Sequence, residues 1–331
     1  MRKIKYLFRT IRKMDFKNMF KIAKQVSKKA HKPYLYILFD IIRCGLKYQA
    51  GYYDYQEFEF YLLNKEERKT YLTRGINNSL VKKYNNKEYW HFLQDKIEFN
   101  TKFDKYLKRD WIDLRNSDLK DFEKFLKGKE YVIAKELDNC GGKGISKIKV
   151  TKDIKKIRDE LINNKQFLVE EIIVQNKKIA KLYDGSVNTL RFFTFFDGKE
   201  THILNSIFKI GNNGFVDNFS SGGMYTFLNK EGKVICPAID QADNKIEIHP
   251  STKEQILGFE IPNFDKACKI VKEASKEIKE IQYIGWDVAI LEKDACLVEG
   301  NEFPGVFQIK PSFDNGKHEG ILIEYKKYMD I

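Results

Sequence analysis

The chain has 331 residues, 42% of them hydrophobic and 14% aromatic, and a formal net charge of +13. This composition belongs to a folded globular protein and excludes a disordered one. Nearly all of the charge lies in residues 1–50, which contain 14 lysines and arginines against only two acidic residues, Asp15 and Asp40. The rest of the chain is close to neutral, so the sequence consists of a nearly neutral body and a basic N-terminal segment.

The cysteines are widely scattered and form neither a CxxC pair nor a zinc-binding spacing (Cys44, Cys140, Cys236, Cys268 and Cys296). We therefore expect a reducing, cytoplasmic compartment. Charged residues interrupt the apolar ones near the N-terminus, which argues against a signal peptide. The apolar run at 34–39 is too short to span a bilayer.

Residues 1–60 are predicted to form a basic, amphipathic helical extension. Apolar residues recur at helical spacing through 2–29, with lysines and arginines between them, and residues 34–46 predict another helix. Two interpretations stay open: the basic helix lies on the inner, anionic face of the cell membrane, or its apolar face packs on the body while the lysines face water. No binding motif for nucleic acid accompanies the basic head, so we expect no such partner.

Residues 61–170 are predicted to form the first lobe of the body. Helical patterns fill much of 65–109, and residues 111–114 resemble a short strand. The next helix is predicted to end at 126, with Ser117 as its N-terminal cap.

A glycine-rich turn follows a strand that ends at Lys135, and a second strand comes after it; the turn contains Gly141, Gly142, Lys143 and Gly144. Glycines let backbone N–H groups approach phosphate oxygens closely, so this hairpin is interpreted as a cover for a triphosphate. Its spacing is neither that of a P-loop nor that of a dinucleotide-binding turn.

An apolar strand at 167–173 contains Glu170, Glu171 and Ile172. We interpret it as the hinge of a nucleotide pocket, where backbone groups bond an adenine edge and a polar side chain takes the ribose. The alternative is a plain strand with an exposed acidic end.

Residues 171–331 are predicted to form the second lobe, which is rich in strands up to 227. Arg191 stands between apolar neighbours, and an arginine in that position needs an anionic partner, either a structural carboxylate or a phosphate. Lys209 likewise stands between apolar neighbours, and Asn218 lies in a second glycine-bearing loop. His249 is interpreted as a structural or capping residue, with a role as general base left open.

The last hairpin, 284–305, brings Asp287 opposite Glu299 and Asn301. Residues two apart on a strand point to the same face, so three oxygen-bearing side chains are expected around one point. Hard cations such as Mg²⁺ prefer oxygen ligands of this kind. The alternative is a hairpin whose polar residues face solvent.

Together these segments resemble the ATP-grasp superfamily, and in particular its sugar-transfer-associated branch, over roughly residues 85–312. Lys96 in QDKIEF resembles the first nucleotide lysine of that family, and Lys135 in YVIAK the second. The string FKIG…VDNFSSGG, which contains Lys209 and Asn218, is the most specific part of the match. The branch often has arginine where this chain has Lys209, which keeps the charge and loses a bidentate grip.

The resemblance implies an α+β ATP-grasp fold, in which two α+β lobes sandwich ATP, with the helical basic extension added. It also implies that the glycine loop closes over the phosphates and that Asp287, Glu299 and Asn301 bind Mg²⁺. Arg191 would then face the transferred phosphoryl group, while Lys209 and Asn218 face the acceptor.

The activity implied is that of an ADP-forming carboxylate–amine ligase acting through an acyl phosphate. The expected substrates are a carboxylated sugar or polysaccharide precursor and an amine or amino acid, in capsule or O-antigen synthesis. Two alternatives remain: a kinase that phosphorylates a glycan on the same fold, and a non-catalytic module that binds an anionic polymer.

Overall fold

The structure is a computed structural model, and it describes residues 15–137, 144–212, 214, 219, 222–314 and 316–331. These residues fall into two compact units. The first unit holds the described residues up to Ser79 together with Gly305–Lys327 and Ile331, and the second holds Leu80–Pro304 and Tyr328–Asp330. The division predicted from the sequence, with boundaries after residues 60 and 170, differs from this one and stays a prediction.

The α-helices are, in chain order, α1 (Phe16–Ala30), α2 (Tyr34–Tyr48), α3 (Tyr52–Glu57), α4 (Arg74–Tyr84), α5 (His91–Gln94), α6 (Lys96–Leu107), α7 (Leu119–Leu126), α8 (Ile154–Asn163), α9 (Lys177–Leu182), α10 (Phe264–Ala274) and α11 (Leu322–Tyr325). The strands are β1 (Trp111–Asp113), β2 (Tyr131–Lys135), β3 (Ile145–Lys149), β4 (Leu168–Glu171), β5 (Thr189–Phe196), β6 (Thr201–Ile210), β7 (Met224–Phe227), β8 (Ala238–Ile239), β9 (Lys245–Ile246), β10 (Tyr283–Ile290) and β11 (Ala295–Asn301).

The first unit is built on helices α1 to α3. Asp15 caps α1 by accepting a hydrogen bond from the Asn18 backbone N–H at 3.0 Å, and His31 ends the helix in a left-handed conformation. The apolar face of α1 is buried within this unit (Met19, Ile22, Ala23 and Val26). This face of α1 therefore packs against neighbouring elements of the first unit, and the choice between the membrane surface and the body stays a prediction. The part of the predicted helical segment that precedes residue 15 lies outside the described residues.

The second unit contains two antiparallel sheets. The strand order is β1-β4-β2-β3 in the smaller sheet and β11-β10-β5-β6-β7-β8-β9 in the larger one. Helices α7 and α8 cover the smaller sheet through a cluster that includes Phe122, Leu161 and Val132. Helices α6 and α10 pack on the larger sheet around the fully buried Trp286. The predicted α+β class is confirmed.

Two local predictions need correction. Helix α7 is capped by Asp118 and not by Ser117, because the Asp118 carboxylate accepts from the Asp121 N–H at 2.9 Å while the Asp121 carboxylate accepts from the Asp118 N–H. The Ser117 hydroxyl instead donates to the Asp113 carbonyl at 2.9 Å. The sequence also predicts a helix over residues 265–280, whereas α10 covers Phe264–Ala274.

None of the helices in the described ranges combines the length and the apolarity that crossing a bilayer requires.

Candidate active site

A cavity of about 440 Å³ lies in the second unit, and both of its sheets contribute to the walls. Cavities of this size hold small-molecule ligands and cofactors. The charged lining comprises Arg109, Lys135, Lys147, Glu170, Glu171, Asp184, Lys209, Asp287 and Glu299. The apolar lining comprises Ile133, Ile145, Ile172, Ile173, Val174, Ala180, Val187 and Val298. The wall is therefore suited to a molecule that has both an apolar part and a strongly charged part.

Glu170, on β4, is the centre of the first charged cluster. It is buried, and it accepts hydrogen bonds from Arg109 Nη2 at 2.8 Å and from Asn100 Nδ2 at 2.8 Å, while Lys135 on the neighbouring β2 forms an ion pair with its other oxygen. Burial opposes ionisation of Glu170, but Arg109 and Lys135 outweigh it and lower the pKa to about 2. The carboxylate is thus a fixed negative charge that positions two cations at the cavity wall.

Strands β2 and β3 pair antiparallel, as expected of the two strands of the predicted hairpin. Lys135 pairs with Ile145 across it, and the Glu136 N–H donates to the Gly144 carbonyl at 3.0 Å. Gly144 has φ of +71°, and a Cβ there would lie 2.8 Å from the Glu136 side chain, so both backbone and space call for glycine. Gly141, Gly142 and Lys143 lie outside the described residues.

The second charged cluster follows from strand register. Arg191 on β5, Asp287 on β10 and Glu299 on β11 are direct cross-strand partners, so they form one row across three strands. Lys209 on β6 pairs with Thr189, two residues from Arg191, and therefore points to the same face. Gly285, two residues before Asp287 on β10, keeps space open beside this row, since a Cβ there would lie 3.0 Å from the Pro304 Cα and 3.1 Å from Arg191 Nη1.

Asp287 is buried between two cations. Arg191 donates to it through Nε and Nη2, the latter at 2.8 Å, and Lys209 Nζ donates to Oδ2 at 2.9 Å. Burial opposes ionisation, yet the two cations hold the pKa of Asp287 far below its ordinary value. The partner of Arg191, left open between a carboxylate and a phosphate, is in this structure the carboxylate of Asp287.

Glu299 lies beside this pair, and 53% of its side-chain surface is open, facing the cavity. Desolvation by the surrounding protein, followed by the negative charge of Asp287, raises the pKa of Glu299. The strand register shifts after Asp287, which leaves Val298 as an extra residue in β11. Such bulges re-aim side chains next to sites, and this one places both Val298 and Glu299 in the cavity wall.

A family model described as sugar-transfer associated ATP-grasp matches residues 75–315, well over half of the chain. The chain belongs to this sugar-transfer associated ATP-grasp family. A search of curated proteins gave no match. The cavity and both charged clusters lie within the matched residues of this ATP-grasp protein.

Several solved structures are similar in fold. D-alanine–D-alanine ligase from Bacillus anthracis is 12% identical, with a TM-score of 0.43 over 76% of this chain and 74% of that one. The same enzyme from Helicobacter pylori is 14% identical, with a TM-score of 0.43 over 77% and 69%. N5-carboxyaminoimidazole synthase from Aspergillus clavatus, in complex with ADP and 5-aminoimidazole ribonucleotide, is 10% identical, with a TM-score of 0.42 over 69% and 49%. At these scores and identities we draw no argument from them about activity.

Membership of the ATP-grasp family implies the use of ATP, typically together with Mg²⁺. The cavity fits ATP, because its isoleucines and valines suit a base and its lysines suit phosphates. The buried Ser186 hydroxyl, also in the wall, has no hydrogen-bond partner among the described residues and so remains available to a bound molecule.

The donor set also fits Mg²⁺. Asp287 and Glu299 are cross-strand partners, and Asn301 Nδ2 lies 3.4 Å from Glu299 Oε1. Two carboxylates and an amide supply the oxygen ligands that this cation prefers. No group of three histidine, cysteine, aspartate or glutamate side chains suited to a metal occurs in the parts of the chain that the structure describes. Any Mg²⁺ site here therefore needs Asn301 or the ATP oxygens to complete it.

The predicted site residues fall into three groups. Those that line the cavity are Lys135, Glu170, Glu171, Ile172, Lys209, Asp287 and Glu299. Four further predicted residues are described but do not line the cavity: Lys96, Gly144, Arg191 and Asn301. Of these, Lys96 donates from Nζ to the Leu137 carbonyl at 2.9 Å, next to the glycine-rich turn. Asn218, like most of the glycine-rich turn, lies outside the described residues. The roles assigned to all of these residues stay predictions.

His249 is fully buried, with Nε2 bonded to the Gly211 carbonyl at 3.0 Å, Nδ1 bonded to Ser251, and its ring stacked on Tyr183. Both ring nitrogens are occupied within the fold, as expected of a structural histidine.

The sequence did not identify two residues that hold Glu170 in place, Arg109 and Asn100. Arg109 joins the two sheets, because its Nη1 donates to the Leu297 carbonyl of β11 at 2.6 Å while Nε and Nη2 hold Glu170. Its segment, KYLKRDWID, is full of charges, and nothing local marks this arginine as buried. What marks Arg109 as a site residue is its contact with Glu170, which lies 61 residues away along the chain.

Proposed function

We propose that this protein is an ATP-dependent carboxylate–amine ligase that joins an amine or amino acid to a carboxylated sugar during surface-polysaccharide synthesis. The observation that carries the proposal is the single cavity in which apolar surface meets two cation–carboxylate clusters, centred on Glu170 and Asp287. Family membership supplies ATP as the co-substrate.

In this proposal the substrate carboxylate attacks the γ-phosphorus of ATP, the bond to the ADP oxygen breaks, and an acyl phosphate forms. The amine nitrogen then attacks the acyl carbon, phosphate leaves, and the nitrogen loses a proton to give the amide. Such transfers depend on alignment and charge neutralisation more than on covalent help from the protein. Mg²⁺, when bound, neutralises charge on the phosphates.

The protein's own groups would divide this work by position. Lys135, held by Glu170, contacts the nucleotide phosphates from the smaller sheet, and Ile172 follows the strand whose backbone meets the base. Lys209 approaches from the larger sheet, where Asp287 fixes its ammonium at 2.9 Å. Asp287, Glu299 and Asn301 would hold the cation. Because Arg191 is hydrogen-bonded to Asp287, it keeps that carboxylate oriented and ionised.

The test is ADP release measured with uronic acids and amino acids offered in pairs, followed by mass spectrometry of the acceptor. The expected product is the sum of the two substrates minus water. An acceptor heavier by one phosphoryl group would mean that the enzyme is a kinase, and no ADP with any pair would contradict this substrate class.

Thermal unfolding separates the proposal from a non-catalytic module. Mg·ATP at roughly 100 times its dissociation constant should stabilise the protein by about 2.7 kcal/mol. An unchanged melting temperature at saturating Mg·ATP would remove the basis for any ATP-dependent reaction.

A further inference from the structure

Helix α2 carries a row of apolar side chains that faces away from its own packing surface. Its buried face consists of Ile37, Asp40, Ile41, Cys44 and Tyr48. On the other side Leu35, Phe39, Ile42 and Leu46 are 63%, 70%, 43% and 61% exposed. Their spacing of four, three and four residues aligns them in one stripe, about 16 Å long at 1.5 Å per residue.

The exposed stripe is not needed to hold the helix in the unit, because the opposite face already does so. Single exposed apolar residues are ordinary on a protein surface, but a continuous row of large ones marks a surface that is covered in use. Two tyrosines, Tyr34 and Tyr36, are exposed at the start of the same helix, and tyrosine is enriched where protein meets the membrane–water interface.

The exposed charged residues of α2 itself all have one sign. On α2 the exposed ionisable residues, Arg43 and Lys47, are both basic. The helix contains one acid, Asp40, and it is buried against Arg68, with contacts of 2.6 and 2.8 Å. The fold therefore removes the carboxylate from this surface and leaves the cations on it.

Helix α1 adds a second, basic stripe. Lys17, Lys21, Lys24 and Lys28 are all exposed, and their spacing of four, three and four residues aligns them on one side of the helix. Phe16 and Phe20 beside them are 44% and 45% exposed. An apolar row with cations and almost no acids nearby matches the pattern of helices that lie in the plane of an anionic membrane surface.

We propose that helices α1 and α2 form a docking surface for an anionic phospholipid bilayer. The α2 stripe enters the boundary between headgroups and acyl chains, and the lysines of α1 with Arg43 and Lys47 contact lipid phosphates. This surface would hold the chain, and with it the cavity, at the membrane. The proposal does not depend on the ligase chemistry, and its test does not use enzyme activity.

The experiment is co-sedimentation of the full chain with vesicles of phosphatidylcholine alone and of phosphatidylcholine mixed equally with phosphatidylglycerol. We expect binding to the anionic vesicles and little to the neutral ones. The double variant Phe39→Ser/Leu46→Ser should weaken partitioning to anionic vesicles by about tenfold or more. Its matched control is Ile235→Ser/Ile248→Ser, which alters two exposed residues of the second unit and should bind like the parent protein.

The basic stripe is tested by changing its four lysines to glutamine, which should lower binding by at least about tenfold and reduce its dependence on salt. Changing the same four to arginine should preserve binding. Neutralising four exposed lysines of the second unit, Lys120, Lys124, Lys127 and Lys155, serves as the control. Circular dichroism would verify that each variant is folded.

Equal binding to neutral and anionic vesicles, or no loss in either variant, would overturn the proposal. So would a dimer of the parent protein that the Phe39→Ser/Leu46→Ser variant converts to a monomer without any change in vesicle binding. That result would identify a second copy of this chain as the occupant of the stripe.

Discussion

Asp40 in the first unit and Asp287 in the second are both buried carboxylates held by arginine, yet their surroundings differ in a way that separates structure from function. Asp40 receives one arginine, Arg68, and the Tyr55 hydroxyl at 2.8 Å, and its side chain is only 7% exposed. Asp287 receives Arg191 and Lys209, lies next to the carboxylate of Glu299, and faces a cavity. The first cluster is buried and pairs one cation with one carboxylate, whereas the second gathers two cations and two carboxylates beside a cavity that a ligand can reach. Burial of an ion pair alone therefore does not identify a site; several charged groups that border an accessible cavity do.

The largest effect should come from breaking the closed cluster. Arg68→Ala leaves Asp40 buried without its cation, so the free energy of unfolding should fall by about 3–5 kcal/mol. Denaturant titration measures this, and Lys69→Ala, at an exposed ion pair, is the control that should leave it unchanged. Turnover per folded molecule should not change. A large loss of turnover in folded Arg68→Ala protein would mean that the first cluster also serves the reaction.

The open cluster should respond in the opposite way. Asp287→Asn keeps the shape and removes the charge, so ATP turnover should fall roughly 10²–10³-fold while the protein remains folded. Asp294→Asn, at the turn of the same hairpin, is the matched control. Steady-state ADP release and the shift of melting temperature with Mg·ATP are the measurements. Full turnover in Asp287→Asn would rule out its role at the cation.

Arg109 combines features of the two clusters, because it is a buried arginine, like Arg68, but its carboxylate partner Glu170 lines the cavity. Arg109→Met removes the links to Glu170 and Leu297, and we expect a 10–100-fold loss of kcat/KM for ATP, of the order found for residues that position a site. A positioning role predicts that Arg109→Lys recovers part of the loss. Arg115→Met, at an exposed pair with Asp113, should behave like the parent protein; if it loses as much activity as Arg109→Met, the effect is not specific to the cluster.

The smallest effect concerns pH. Burial opposes ionisation of Asp40, but hydrogen bonds from Arg68 and Tyr55 hold its pKa below the ordinary value. The stabilisation is therefore complete above the ordinary aspartate pKa of about 3.9 and is lost as the pH falls toward the lower folded value. In Asp40→Asn the free energy of unfolding should fall less steeply as the pH is lowered. The difference in slope from the parent protein should be less than about 1.4 kcal/mol per pH unit. Urea titrations between neutral and acid pH provide the test; an identical limb would place the titrating group elsewhere.

Much of the fold could be predicted from the sequence because it depends on local periodicity. The strand that ends at Lys135, the strand that contains Glu170, and the final hairpin all lie where the alternation of apolar residues predicts them. The errors are also local. Ser117 and Asp118 are both good caps, and their order in the chain does not reveal that Asp121 completes a capping box with the second of them.

The sequence by itself determined the strands that carry the site and brought Asp287 near Glu299. Their direct pairing depends on the bulge at Val298, because the register next to the turn, Ile290 with Ala295, would otherwise pair Asp287 with Val298. It also predicted amphipathic helix within residues 2–29 and a further helix over 34–46, and α1 and α2 fall in these segments. Only the tertiary structure decided which of the buried charges meet: Arg109 with Glu170, Arg68 with Asp40, and both Arg191 and Lys209 with Asp287. Only it distinguished the packed side of α2 from the exposed stripe of Leu35, Phe39, Ile42 and Leu46. The physical reason is that helix and strand periodicity is encoded within a few residues, whereas the partner of a charge and the cover of an apolar face are set by segments far apart in the chain.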